Sequence, residues 1–368
     1  MKIALLAHIR HPICEPYMGG MEAHSAALAD GLAERGHDVT LFAAPSPGRS
    51  DVSPICDTPY ELAYPWETWR GTPELDAFQA DAFSLAYARI GDGGFDVVHN
   101  NSLYPDVIAW AARDGVAMVT SQHVPPFAKM RAAVAGATDR AQAQFTVTSR
   151  AQLPLWFDDV PANMRVVHNG IAASEWCQDT VRGDHLVWFG RITPNKGLAD
   201  AVRACRMAGV RLTIVGSMED PAYFADEVRP WMNHTIRYEG HLSGDDLRHA
   251  VCSARAAIVT PKWEEPFGLV AAEALAAGLP VVAYDRGAMR EVVGDCGFVV
   301  PRDDIGALAA AIRTIDTIDS DACHRRAVEH FSRCAMIDGY EAAYADAMAG
   351  AAALASRSSC SSTVAELA

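Results

Sequence analysis

Short apolar runs rich in β-branched residues alternate along the chain with segments of helical periodicity, which is the rhythm of parallel βαβ units. In the first half these runs are Ile3–Ala7, Asp38–Ala43, Val97–Asn100, Ala117–Ser121 and Phe145–Ser149. In the second they are Leu186–Gly190, Leu212–Gly216, Ile236–Gly240, Ala256–Thr260 and Pro280–Tyr284. Five strands in each half predict two similar α/β domains. The crossing between them is expected after the apolar run that ends in the Asn169-Gly170 turn and Ile171, where a polar stretch, Gln178–Asp184, precedes a new strand. Helical periodicity marks Ala23–Arg35, Leu269–Ala277, Ile305–Ile315 and Tyr340–Leu354, whereas the serine-rich Ser356–Ser362 has no apolar face and reads as disordered. Doubly wound sheets bind ligands outside the carboxyl ends of their strands, so the chemistry is expected at those ends, in a crevice between the domains.

Composition fits this picture and narrows it. A chain of 368 residues, 50% hydrophobic and 21% charged, is long enough for two cores. The 31 basic and 46 acidic side chains give a formal charge of −15, which argues against a nucleic-acid or anionic-lipid binding surface. An anionic ligand must therefore be held by a local cluster. No apolar run reaches the ~18 residues of a bilayer span, and the apolar start is too short before Arg10 for a signal peptide. Nine cysteines without a Cys-x-x-Cys pair read as reduced thiols, so the cytoplasm is the expected compartment.

The most specific stretch runs from Trp263-Glu264-Glu265-Pro266-Phe267-Gly268-Leu269-Val270 through Glu273 to Gly278-Leu279-Pro280-Val281-Val282. It reads as strand end, loop, helix and next strand, with Glu265 in the loop and Glu273 about one turn into the helix. The amides of a helix start have no intrahelical partners and sit at its positive end, so those of Phe267, Gly268, Leu269 and Val270 suit a phosphate. In a second stretch, Val187–Gly197, Arg191 and Lys196 stand five apart across a Pro194-Asn195 turn at a strand end, so both can converge on one anion. Gly19 and Gly20, just before a helix, allow close backbone approach. His123 and His99 follow or end two other strands.

In these residues the chain resembles the retaining glycosyltransferases of family 4, which have the GT-B architecture and carry a Glu, seven residues, then Glu. Glu265 and Glu273 match that pair, as do the flanking Pro-Phe-Gly-Leu and Glu-Ala-Leu-Ala-Ala-Gly-Leu-Pro-Val-Val. The resemblance implies that Glu265 contacts the donor sugar's hydroxyls, Glu273 the ribose, and Arg191 and Lys196 the diphosphate. It places the Gly19-Gly20 loop beside the donor phosphates and His123 near the transferred sugar. Arg150 falls in a segment near the donor site and becomes a candidate phosphate contact, while His99, at a strand end on the same edge as His123, is a candidate acceptor-side contact. Gly190, Gly216 and the backbone at His241 and Leu242 frame the nucleotide. The landmarks run from Met1 to about Pro301. The pattern departs at Gly287-Ala288-Met289-Arg290-Glu291, where Arg290 replaces a proline near the donor sugar, and at Ala172, where many members have Asp.

The expectation is thus an α/β GT-B fold with Rossmann-like domains at 1–172 plus 337–368, the latter a returning helix for the acceptor domain, and 173–336 for the donor. The reaction is hexose transfer, with glucose the first choice, from a nucleotide sugar to a saccharide or small-molecule hydroxyl. A UDP-sugar is the leading donor and a GDP-sugar the alternative. A front-face mechanism needs no metal or cofactor, because the basic pair supplies the charge, and Asp319-Ser320-Asp321 reads as surface. Competing readings are a GT-B nucleotide-sugar epimerase and a noncatalytic nucleotide-sugar-binding partner; no Gly-x-Gly-x-x-Gly after the first strand supports an oxidoreductase. Lys129–Val134 carries two charges and little bulk, which favours a soluble enzyme over a membrane-bound one.

Overall fold

The computed structural model describes residues 1–176 and 180–365, with side chains through Ser356. Gln178 and Asp179, the head of the expected polar linker, lie outside the described residues. The chain forms two compact units: one of Met1–Thr148, Leu153–Val167 and the chain from Met336 on, the other of Ser149–Gln152 and His168–Ala335.

The first unit is built on seven parallel strands: β1 Lys2–Ala7, β2 Asp38–Ala43, β3 Val52–Pro54, β4 Val97–Asn101, β5 Met118–Gln122, β6 Ala143–Val147 and β7 Met164–Val166. Their order is β3-β2-β1-β4-β5-β6-β7, so the chain winds outwards in both directions from β1 and β4. In β1, Ile3 and Leu5 enter one core with Val97 and Val119, while Ala4 and Leu6 enter another with Phe42 and Val98. A strand buried on both faces is why β1 reads as a continuous apolar run. The helix Arg333–Ala365 adds Ile337, Tyr340, Tyr344 and Ala347 to the first core at spacings of three and four. Its backbone stays helical through the serine-rich stretch that composition assigned to disorder.

The second unit has six parallel strands: β8 His185–Phe189, β9 Arg211–Val215, β10 Ile236–Tyr238, β11 Ala256–Val259, β12 Val281–Tyr284 and β13 Gly297–Val300, ordered β10-β9-β8-β11-β12-β13. Leu186, Trp188 and Ile214 pack on one face, Val187, Phe189 and Val215 on the other. Seven and six strands replace the expected five and five. The additional β3, β7 and β13 are edge strands of three or four residues. Gly297 in β13 is required by packing, since a Cβ there would lie 1.9 Å from the Val281 carbonyl oxygen. Among the described residues no helix is long and apolar enough to cross a membrane.

Candidate functional site

The strand ends of the second unit carry most of the motif residues. Gly190, Gly216 and Gly240 follow the neighbouring strands β8, β9 and β10 with φ of +143°, +149° and +87°. The Gly190 amide donates to Val215 O at 3.0 Å and the Gly216 amide to Gly240 O at 2.9 Å. A Cβ on Gly216 would lie 1.7 Å from Gly190 O, so this corner admits glycine alone and leaves bare backbone for a ligand to approach. Beyond it His241 is exposed, while Leu242 packs on the core.

Next along the sheet, the Pro194–Lys196 turn ends at Gly197 (φ +68°), whose Cβ would meet Thr260 O at 2.1 Å. The Thr260 hydroxyl contacts the carbonyls of Lys196 and Gly197 at 3.1 and 3.0 Å, and Lys262 N–H donates to Asn195 O at 2.8 Å. The turn is therefore pinned to the end of β11, which fixes where Lys196 starts. Sequence spacing allowed Arg191 and Lys196 to share one anion, but here each has its own carboxylate. Arg191 pairs with Glu219 at 3.1 Å and Lys196 with Glu265 at 2.7 Å.

Glu265 lies in the loop before helix α2 (Leu269–Ala276) and is 8% exposed. Its Oε2 accepts from both Lys196 Nζ and Trp263 Nε1, the latter at 2.8 Å, and no partner of Oε1 occurs among the described residues. The loop's shape depends on Gly287, where a Cβ would collide with Glu265 backbone atoms at 2.2–2.8 Å, and on the Ala288 amide donating to Glu265 O at 2.9 Å. Gly268 caps α2 in the left-handed region (φ +88°) beside Met289, and the amides of Gly268, Leu269 and Val270 find no backbone acceptor among the described residues. Phe267 as a whole is only 2% exposed, and its ring packs edge-on against Phe331. Val270 lines a small pocket with Trp188, Phe189, Lys196 and Glu265.

Glu273 is half-buried on α2, and its carboxylate has no hydrogen-bond or ionic partner among the described residues. Burial alone pushes its carboxyl up to about 7. A carboxyl perturbed by burial and left without a partner is a candidate for ligand binding. In the same unit Glu291 accepts the backbone amides of Arg150 and Ala151 at 2.8 and 3.4 Å and contacts His168 Nε2 at 2.7 Å. Burial works against its charge, yet these partners hold the Glu291 carboxyl below its ordinary value. The Arg150 side chain is exposed, and Arg290, expected near the donor sugar, pairs with Asp285 at 2.6 Å and is two-thirds exposed. Asp319 caps the helix Ser320–Phe331 by accepting the Asp321 amide at 2.9 Å.

In the first unit Gly19 and Gly20 open helix α1 (Gly20–Glu34), three residues ahead of the periodic segment. The buried Glu22 carboxylate packs against Gly19, an acid at the positive end of a helix. His123, just past β5, has its Nε2 2.8 Å from Asn101 Oδ1 and its ring 4.2 Å from that of His24. His99 differs from its expected role as an acceptor contact. It is fully buried within β4, with Nδ1 2.6 Å from the Tyr344 hydroxyl and Nε2 2.8 Å from the Ser121 hydroxyl. Burial holds His99 at about 3 and His123 at about 4, and holds His24 well below its ordinary value, so all three are neutral near pH 7.

Trp263 and Thr260 were in the motif stretch or beside it but received no role from sequence. Trp263 touches the site through a side-chain nitrogen and Thr260 through backbone carbonyls, and neither contact leaves a spacing signature.

Residues 18–175 match the family model described as Glycosyltransferase Family 4, and residues 183–316 match that described as Glycosyl transferases group 1. A glycogen synthase of Mycobacterium tuberculosis is 28% identical, over 84% of this chain and 85% of that one. An MMP α-(1→4)-mannosyltransferase of Mycolicibacterium hassiacum is also 28% identical, over 96% of this chain and all of the relative. The crystal structure of AviGT4, a glycosyltransferase involved in avilamycin A biosynthesis, superposes with a TM-score of 0.71 at 25% identity, covering 95% of this chain and 98% of that chain. Two parallel sheets, the matched families and these relatives together show that the chain belongs to the family 4 type of glycosyltransferase, enzymes of GT-B fold.

Proposed function

We propose that the enzyme transfers a hexose from a nucleoside diphosphate sugar to an acceptor hydroxyl with retention at the anomeric carbon, the second unit holding the donor and the first the acceptor. The observation that carries this reading is Glu273: a half-buried, partnerless carboxylate whose ionised form is penalised without a ligand. The vicinal hydroxyls of a ribose would supply the donors it lacks. Glu265 Oε1 is free for hexose hydroxyls, and Lys196 and Arg191 would meet the diphosphate.

In the proposed step the bond from anomeric carbon to phosphate oxygen breaks while the acceptor oxygen bonds to the same face. The acceptor proton passes to the departing diphosphate. Fixed cations stabilise the charge that develops on the leaving group, which is the role assigned to Lys196 and Arg191, without a divalent metal. His123, held neutral, is assigned to the transferred sugar as a hydrogen-bonding group rather than a cation. Gly190, Gly216 and the backbone at His241 and Leu242 are assigned to the nucleoside. The helix-start amides, Gly19, Gly20 and Arg150 are assigned to the phosphates.

The test is nucleoside diphosphate release from a donor panel, UDP-glucose first and GDP-mannose second, with and without pooled acceptors and with EDTA. Acceptor-dependent release that survives chelation, with a product of the donor's anomeric configuration, is the expected result. An inverted product, or full loss with EDTA and recovery with manganese, would reject the mechanism.

A further inference from the structure

We infer that Trp263 is a positioning residue for Glu265, setting the carboxylate that orients the donor hexose; this rests on the role proposed above for Glu265. Three observations meet here. The Trp263 indole N–H donates to Glu265 Oε2 at 2.8 Å, Lys196 Nζ shares the same oxygen at 2.7 Å, and the Lys196 ammonium lies 5.2 Å from the indole centroid. Glu265 is buried to 8% exposure, so the direction of its carboxylate is set by these two donors and not by water.

The two donors are unequal. A lysine ammonium is a compact charge on a flexible stem, free to turn towards a better anion. An incoming diphosphate is such an anion, and when Lys196 turns to it the indole N–H is the remaining side-chain donor on Oε2. Trp263 has one donor, no acceptor and a rigid ring, so it holds the carboxylate in one direction through that exchange. Oε2 stays occupied and Oε1 stays presented to the sugar. The ring face beside Lys196 also keeps the free ammonium near the site before the donor arrives.

Trp263→Phe retains a ring and removes the N–H. A hydrogen bond to a charged acceptor is lost, so kcat/KM for a nucleoside diphosphate hexose should fall about tenfold or more. The wild-type preference for that donor over its monodeoxy-hexose analogues should shrink by a similar factor. The rise in thermal midpoint caused by UDP alone should be unchanged, which also shows that the variant is folded. In a Glu265→Gln background, Trp263→Phe should cost little more, because both changes act on one contact. Equal losses for all donors, a lost UDP shift, or full additivity with Glu265→Gln would make Trp263 merely structural and overturn the inference. Wild-type kcat/KM in Trp263→Phe would overturn it as well. A wild-type enzyme that turns over no nucleoside diphosphate hexose overturns the donor reading itself, a result distinct from all of these.

Discussion

Replacing Glu273 by Gln should make the ligand-free protein more stable and the donor complex weaker. Folding raises the Glu273 carboxyl from 4.5 to about 7, with burial as the cause. A group whose folded value is raised in this way binds its proton more tightly in the native state. The native state is therefore favoured at low pH, and that advantage disappears as pH rises from 4.5 to 7. Above pH 7 the full cost of burying the charge is present, about 3 kcal/mol from the size of the shift. Partial contact with water reduces it to about 1–2 kcal/mol. Gln keeps the shape and the helix propensity but carries no charge, so Glu273→Gln should gain that amount at pH 8 and nothing below pH 4.5. Urea unfolding of both proteins between pH 4.5 and 8.5 measures it, because every other titrating group is common to the two and cancels in the difference. UDP should raise the thermal midpoint of the wild type much more than that of the variant, since ribose hydroxyls bond more strongly to a carboxylate than to an amide. A variant less stable at pH 8, or a stability difference that does not change with pH, would refute the reasoning.

Lys196→Ala should lower kcat by about a hundredfold, the usual cost of removing one fixed group that stabilises leaving-group charge, with nucleoside diphosphate release as the assay. Gly216→Ala puts a Cβ 1.7 Å from Gly190 O at a φ of +149°, so a loss of about 2–3 kcal/mol is expected by thermal or urea unfolding, and a variant of wild-type stability would show that the corner can relax. His24, His99 and His123 all have folded values below 6.5, so the unfolded chain takes up protons first on acidification. Their contribution is complete above pH 6.5 and is lost as pH falls towards 4, at about 1.4 kcal/mol per pH unit for each. Unfolding of His123→Asn between pH 7 and 5 should show a correspondingly shallower decline.

The repeating βαβ pattern was legible because central strands buried on both faces are continuous apolar runs, as β1 and β8 are. The edge strands β3, β7 and β13 were not, and their three or four residues include Pro54 in β3, Arg165 in β7 and Gly297 in β13, which interrupt the apolar run. At the site, the chain-local features could be read: Glu265 before α2, Glu273 within it, and glycines at the strand ends. What sequence could not supply is which groups meet across distant segments. Arg191 and Lys196 looked like one anion-binding pair because they are five residues apart, yet each is paired with an acid 28 or 69 residues further on. His99 and His123 looked alike as histidines at strand ends. They differ because Tyr344, 245 residues beyond His99, closes its Nδ1 with a hydroxyl. Spacing therefore singled out candidate residues, and folding sets their state: Glu273 is costly to ionise, the histidines are neutral, and the Glu265 carboxylate accepts from an indole. Net charge adds little to that. On the proposed donor reading Lys196 reaches the diphosphate by leaving Glu265, which makes the Lys196–Glu265 contact the interaction a donor must displace.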